Sequence, residues 1–229
     1  MCIRDSLSPV TMPSWATFDA YLFDLDGTLV DTAPDINAAL NHSLHLAGLG
    51  AVDEALTRHW VGHGSRVLIA QALQHHHVSE IDIDSLLEPF LDYYRTNLST
   101  DSVVYPGVTA TLIALRERGA KLAVVTNKLT QLSVPLLEGI GLAPLFDLIV
   151  CGDTAAAPKP DPAPVQFCLD HFAVAAANAL FVGDSETDVN AARAAGVPVV
   201  CVRDGYNHGV DVTTLPVSGV IDEFGELLA

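Results

Sequence analysis

The chain has 229 residues, 50% hydrophobic and 17% charged, which is apolar enough for a sizeable core and too apolar for a disordered chain. Its 11 Lys and Arg stand against 28 Asp and Glu, a formal net charge of −17. That balance excludes a nucleic-acid backbone as partner, and any anionic ligand must be drawn in by a local cation. Cys2, Cys151, Cys168 and Cys201 lie far apart without a C-x-x-C, so they read as free thiols of a reducing cytosol. No apolar run approaches the roughly 18 residues of a membrane span, and residues 1–13 lack a signal peptide's long apolar segment. A cytoplasmic protein with no membrane partner is therefore expected. Residues 1–13 read as a disordered extension, with Met12 as an alternative start.

In chain order, Ala20–Phe23 reads as a buried strand that stops at Asp24-Leu25-Asp26-Gly27-Thr28. Thr32, Ala33 and Pro34 carry helix-start chemistry, and apolar spacing through Ile36, Ala39, Leu40 and Leu44 predicts a helix to Leu46, closed by Gly48. A second helix is predicted over Asp53–Trp60. Gly62-His63-Gly64 then precedes a helical pattern through Val67, Leu68, Ala70 and Leu73. Glycines before a helix leave its first amides open to an anion, and they equally suit a flexible turn. The consecutive His75, His76 and His77 cannot share one helical face and read as a solvated helix end. Asp84–Leu98 is predicted as one more helix. The stretch from Ala33 to Val103 thus reads as all helix, with no strand.

After Tyr105-Pro106-Gly107 the grammar changes. Helices are predicted over Val108–Arg118, Gln131–Gly139, Ala163–Phe172 and Val189–Ala195. Strands are predicted over Lys121–Val125, Leu148–Cys151, Ala179–Val182 and Val197–Val202, with a weak strand at Val220-Ile221 and a short helix from Glu223. Strands alternating with helices predict βαβ units and a parallel sheet. The helical block, placed directly after the first strand, lies over the carboxyl edge of that sheet as a candidate lid.

The chemistry concentrates at strand ends, where open α/β sheets keep their sites. Asp24 and Asp26 stand one residue apart and repel each other; a hard cation such as Mg²⁺ relieves that repulsion. Thr126-Asn127 ends the next predicted strand, Lys159 sits between prolines, and Gly183-Asp184 opens a run that reaches Asp188. A nucleophilic carboxylate, a hydroxyl donor, a cation and further carboxylates suit phosphoryl transfer through an aspartyl-phosphate. Asp153, also after a strand, reads as a loop-capping residue.

These four motifs, in this order, resemble those of the haloacid dehalogenase superfamily of phosphotransferases, over essentially the whole chain after Phe18. The resemblance implies a Rossmann-like parallel sheet flanked by helices with an inserted all-helical cap. The implied core spans residues 14–32 and 104–229, and the implied cap spans 33–103. It implies Asp24 as nucleophile, Asp26 as general acid and base, and Mg²⁺ held by Asp24, the Asp26 carbonyl and Asp184. Gly27 and Thr28 would face the phosphoryl group, Thr126 would hydrogen-bond it with backbone amides near Asn127 assisting, Lys159 would offset its charge, and Asp188 would position the metal site or Lys159. The second acid, Asp26, separates phosphoryl chemistry from carbon–halogen cleavage.

Two shorter stretches, Trp60-Val61-Gly62-His63-Gly64 and Gly205-Tyr206-Asn207-His208-Gly209, resemble the bacterial phosphoglycolate phosphatases. The resemblance implies that Gly62, His63 and Gly64 face a small phosphorylated metabolite, 2-phosphoglycolate, in a monomer or homodimer. Arg66 is either a bidentate partner of its carboxylate or a solvated helix arginine. The second stretch either serves the substrate or supports the core. Another small phosphate ester, a pyrophosphate or a sugar phosphate to be isomerised is the alternative substrate, and a non-catalytic binding module is the alternative class.

Overall fold

The computed structural model describes residues 14–229; the extension expected at residues 1–13 lies outside them. Six strands form one parallel sheet in the order β5-β4-β1-β6-β7-β8. They are β1 (Ala20–Phe23), β4 (Lys121–Val125), β5 (Leu148–Val150), β6 (Ala179–Gly183), β7 (Val199–Val202) and β8 (Gly219–Ile221). β1 is central: Ala20 lies opposite both Lys121 and Ala179, and Phe23 opposite Val124 and Val182.

Alternation along each strand divides the core between two faces. Tyr21, Phe23, Leu122 and Val124 face one layer, which includes α5 (Val108–Glu117) and α6 (Thr130–Gly139). Ala20, Leu22, Ala123 and Phe181 face the other, with Val165 and Cys168 of α7 (Ala163–Phe172) and Val189 and Ala192 of α8 (Glu186–Ala194). Because both faces are covered, these strands are apolar throughout rather than alternating. No helix among the described residues is long and apolar enough to cross a membrane.

Between β1 and β4 the chain departs from the predicted pattern at two points. Val30–Asp31 (β2) and Val103–Val104 (β3) pair antiparallel, as a ribbon at the two ends of the helical block. The sequence reading expected no strand there. Two residues a side carry no periodicity, and only the chain's return to its starting point makes them pair. The block itself is α1 (Ala33–Leu46), α2 (Glu54–Trp60), α3 (Ser65–His75) and α4 (Ile83–Thr96). The buried Ser43 hydroxyl donates to the Leu86 carbonyl at 2.7 Å and ties α1 to α4. The Asp35 carboxylate, 2% exposed, accepts from the Asp101 and Ser102 amides and the Ser102 hydroxyl, so it clasps the returning chain to the start of α1.

Candidate active site

Asp24 follows β1, Thr126 follows β4 and Asp184 follows β6, so three neighbouring strands deliver them to one sheet edge. β1 has parallel neighbours on both sides, reached by connections that leave in opposite directions. This is the switch point at which α/β sheets open a crevice. A cavity of about 300 Å³ lies there, walled by Asp24, Asp26 and Thr126 on the sheet side and by Gly62, Phe90 and Tyr94 on the helical side.

Lys159 sits at the centre of the charges, 3% exposed. Its ammonium lies 2.8 Å from Asp24 Oδ1 and 2.6 Å from Asp188 Oδ1. Burial alone would lower its pKa, but the Asp188 and Asp24 carboxylates hold it well above the ordinary lysine value. Asp188 Oδ2 accepts from the Asp184 and Ser185 amides and the Ser185 hydroxyl, which closes the first turn of α8 and fixes the carboxylate that orients Lys159. Asp24 Oδ2 and Asp26 Oδ2 accept no hydrogen bond among the described residues, and both side chains line the cavity.

Asp24, Asp184 and Asp188 each bring one oxygen within 4.8 Å of the others, all buried. Burial, against the pull of Lys159 and with repulsion from Asp188, pushes the Asp24 carboxyl up to about 7. Burial followed by the Asp188 and Asp24 charges raises Asp184 as well. Three carboxylates against one ammonium leave excess negative charge in a buried site, and hard oxygen donors with that excess fit a divalent cation. Asp188 Oδ2 already accepts three hydrogen bonds and its Oδ1 pairs with Lys159, whereas each Asp184 oxygen accepts one and Asp24 Oδ2 accepts none, so Asp24 and Asp184 are the side chains with room to hold one.

The haloacid dehalogenase-like hydrolase family matches residues 21–202, a span that takes in every one of these groups. The chain is a haloacid dehalogenase-like hydrolase. A phosphoglycolate phosphatase of Agrobacterium fabrum is 44% identical over 208 residues, 90% of this chain and 89% of that one. One of Colwellia psychrerythraea is 38% identical over 215 residues, 92% of this chain and 95% of that one. The crystal structure of a predicted phosphoglycolate phosphatase from Haemophilus somnus superposes with a TM-score of 0.89 at 34% identity, over 93% of this chain and 97% of that one. CbbY from Rhodobacter sphaeroides, at 23% identity and a TM-score of 0.78, shares the fold over 92% of this chain and 96% of its own.

Within this hydrolase fold, several residues read from the sequence as facing the phosphoryl group turn elsewhere. The Thr28 hydroxyl is fully buried and donates to Asp184 Oδ1 at 2.7 Å, so it orients a carboxylate instead of lining the cavity. Gly27, at φ 84°, is packed so closely that a Cβ would lie 2.6 Å from Asp184 Oδ2 and 2.7 Å from the Tyr206 ring. Asn127 does line the cavity, but its side chain is spent on scaffolding. Its amide donates to the Gly62 and Lys159 carbonyls, and its oxygen accepts from the Lys159 amide at 2.8 Å. Arg66 pairs with Asp84 at the rim, its side chain 59% exposed. Asp153 caps α6 by accepting from the Thr130 amide and hydroxyl.

Gly62, His63 and Gly64 border the cavity, at the place where the helical block touches the sheet edge. His63 Nε2 lies 3.2 Å from the Thr187 hydroxyl, and its ring lies 4.7 Å from that of His208. Burial, then the neighbouring His208, lowers the His63 pKa. The Gly205–Gly209 stretch supports the site. The Tyr206 amide donates to Asp184 Oδ2 at 2.5 Å, and its hydroxyl bonds Asp31 and the Ala33 amide at the start of α1.

Sequence reasoning missed Lys128, Tyr94 and Thr32. Lys128 Nζ lies 2.9 Å from Asp26 Oδ1 and 2.6 Å from the Tyr94 hydroxyl, and the Thr32 hydroxyl donates to the same Asp26 oxygen at 2.6 Å. Tyr94 falls on the apolar stripe of α4 and is indistinguishable there from a core residue. Lys128 carried one available signal: a lysine directly after a site-edge strand and before an apolar helix.

Proposed function

We propose that the protein is an Mg²⁺-dependent phosphatase that hydrolyses 2-phosphoglycolate to glycolate and phosphate. The observation that carries the substrate is similarity at 38–44% identity, over nine-tenths of the chain, to several chains named phosphoglycolate phosphatase. The site's chemistry supports the reaction independently.

Asp24 attacks phosphorus through Oδ2, the oxygen not paired with Lys159, and the phosphorus–ester oxygen bond breaks. Asp26, open to the cavity through its own Oδ2, delivers a proton to the departing glycolate oxygen. An aspartyl-phosphate remains on Asp24. Asp26 then takes a proton from the incoming water, whose oxygen bonds phosphorus as the acyl oxygen–phosphorus bond breaks. Free phosphate leaves and the Asp24 carboxylate is restored. Lys159 supplies a fixed positive charge beside the nucleophile, and the Thr126 hydroxyl, with no acceptor among the described residues, donates to a phosphoryl oxygen. Mg²⁺, when bound by Asp24, the Asp26 carbonyl and Asp184, offsets charge on the phosphoryl oxygens and the carboxylates. The helical block of residues 33–103 serves as a cap that closes the cavity over this edge and keeps competing water out.

Phosphate release from 2-phosphoglycolate by purified protein, with Mg²⁺, with a chelator and with Asp24→Asn, tests this reading. Release only with metal and an intact Asp24 is expected. Metal-dependent release from an aryl phosphate but none from 2-phosphoglycolate would refute the substrate and keep the chemistry. No release from either ester by folded protein would refute both.

A further inference from the structure

Lys128 is the buried cation of the cavity wall that the hydrolytic steps above do not use. It is 8% exposed, whereas the other cationic wall residue, Arg66, is at the rim and paired with Asp84. An ammonium has three N–H donors. One goes to Asp26 Oδ1 and one to the Tyr94 hydroxyl; the third has no acceptor among the described residues. Tyr94, 1% exposed, accepts that bond, so its own O–H is also without an acceptor among them. Burial, and then the charge of Asp26, raises its pKa well above the ordinary value, so it remains a phenol. Two unmatched donors, one charged, therefore meet at a buried part of the cavity wall beside Asp26. Buried donors without acceptors are costly unless a ligand supplies them.

We infer that Lys128 and Tyr94 form the carboxylate-recognition subsite, and so set the preference for a short anionic phosphate ester. The inference rests on the phosphatase reading above. Asp26 must come within hydrogen-bond reach of the ester oxygen to protonate it. In 2-phosphoglycolate one methylene separates that oxygen from the carboxylate. A carboxylate so close to Asp26 falls within reach of Nζ, which itself lies 2.9 Å from Asp26 Oδ1. The apolar part of the cavity wall, Leu87, Phe90, Leu91 and Leu132, limits the room for a larger polar substituent, while His63, Ser65 and Arg66 lie elsewhere on the wall. The same subsite therefore favours a short acid over an ester without the carboxylate.

The test is the ratio of kcat/KM for 2-phosphoglycolate to that for ethyl phosphate, in which a methyl replaces the carboxylate. The native protein should favour 2-phosphoglycolate by at least about 100-fold, the scale of one charged hydrogen-bonded contact. Lys128→Met should lower that ratio about 30- to 100-fold, whatever it costs on both esters through Asp26. Tyr94→Phe, which opens no void, should lower it about tenfold and keeps the test intact if the lysine variant does not fold. Calorimetric affinity for 2-phosphoglycolate on an Asp24→Asn background should fall in parallel. A high native ratio that stays within about threefold in both variants overturns the inference alone and leaves Lys128 as a residue that only positions Asp26. A native protein that cleaves aryl phosphate but not 2-phosphoglycolate removes the substrate reading and this subsite together.

Discussion

Asp24 occupies a position that its own charge disfavours. The fold raises its carboxyl to about 7 by burial, so below that pH the protonated form prevails in the metal-free protein. Stability from this group is present below about pH 4 and is lost as pH rises through about 7. Asp24→Asn removes the titration, so without metal at pH 8 the variant should be more stable than the native protein by about 1–3 kcal/mol, although it should be inactive. The difference should shrink as pH falls toward 4, and thermal melts across that range check it. Gly205 faces a different constraint: a Cβ there would lie 2.1 Å from Asp184 Cβ. Gly205→Ala should cost about 2–4 kcal/mol and weaken metal-dependent activity by displacing Asp184, measurable by urea unfolding and an Mg²⁺ titration of turnover. At this scale the sequence revealed residues whose type and spacing are themselves the signal: Asp24, Asp26, Lys159, Asp184. Thr28 and Asn127 lie in the same motifs, but the direction a hydroxyl or amide points depends on partners 156 and 32 residues away, Asp184 and Lys159. Spacing cannot encode that. Tyr94 was hidden for the same reason, since it gains meaning only from Lys128, whose own signal was its place directly after β4.

The elements followed their local chemistry closely. β4 and α7 lie where strand pattern and helix punctuation place them, at Lys121–Val125 and Ala163–Phe172. Boundaries elsewhere moved by a few residues, as at α8, where the Ser185–Asp188 capping interaction starts the helix ahead of its apolar run. The β2–β3 ribbon escaped because two-residue strands are made by chain return and not by propensity. Where the helical block meets the sheet edge, His63 of the α2–α3 turn contacts Thr187 and His208. The lowered pKa of His63 means that the neutral ring is the docked form. Docking is therefore complete above about pH 6.5 and is lost as pH falls through the lowered value. Hydrogen exchange at residues 61–64, corrected for intrinsic rate, should quicken between pH 7 and 5, and His63→Gln should flatten that response. An unchanged corrected rate in the native protein would contradict the contact's role.

At the scale of the whole molecule, β1 sets the arrangement. It is the central strand, its carboxyl end carries both Asp24 and Asp26, and the helical block leaves the sheet directly after it. One topological choice thus puts Asp24, Asp26 and the covering helices at one point. A net charge of −17 would repel an anionic substrate from such a molecule, and Lys159 and Lys128 are each paired with carboxylates, so the local attraction would need a bound divalent cation beside them. The most direct test of the account is the chemical identity of the intermediate. Borohydride added during turnover of 2-phosphoglycolate with Mg²⁺ reduces an acyl phosphate to an alcohol, and peptide mass spectrometry then locates it. The account predicts homoserine in place of Asp24, dependent on substrate and metal and unaffected at Asp26, Asp184 and Asp188. Reduction at any other carboxylate, or an unmodified Asp24 during rapid turnover, would contradict it.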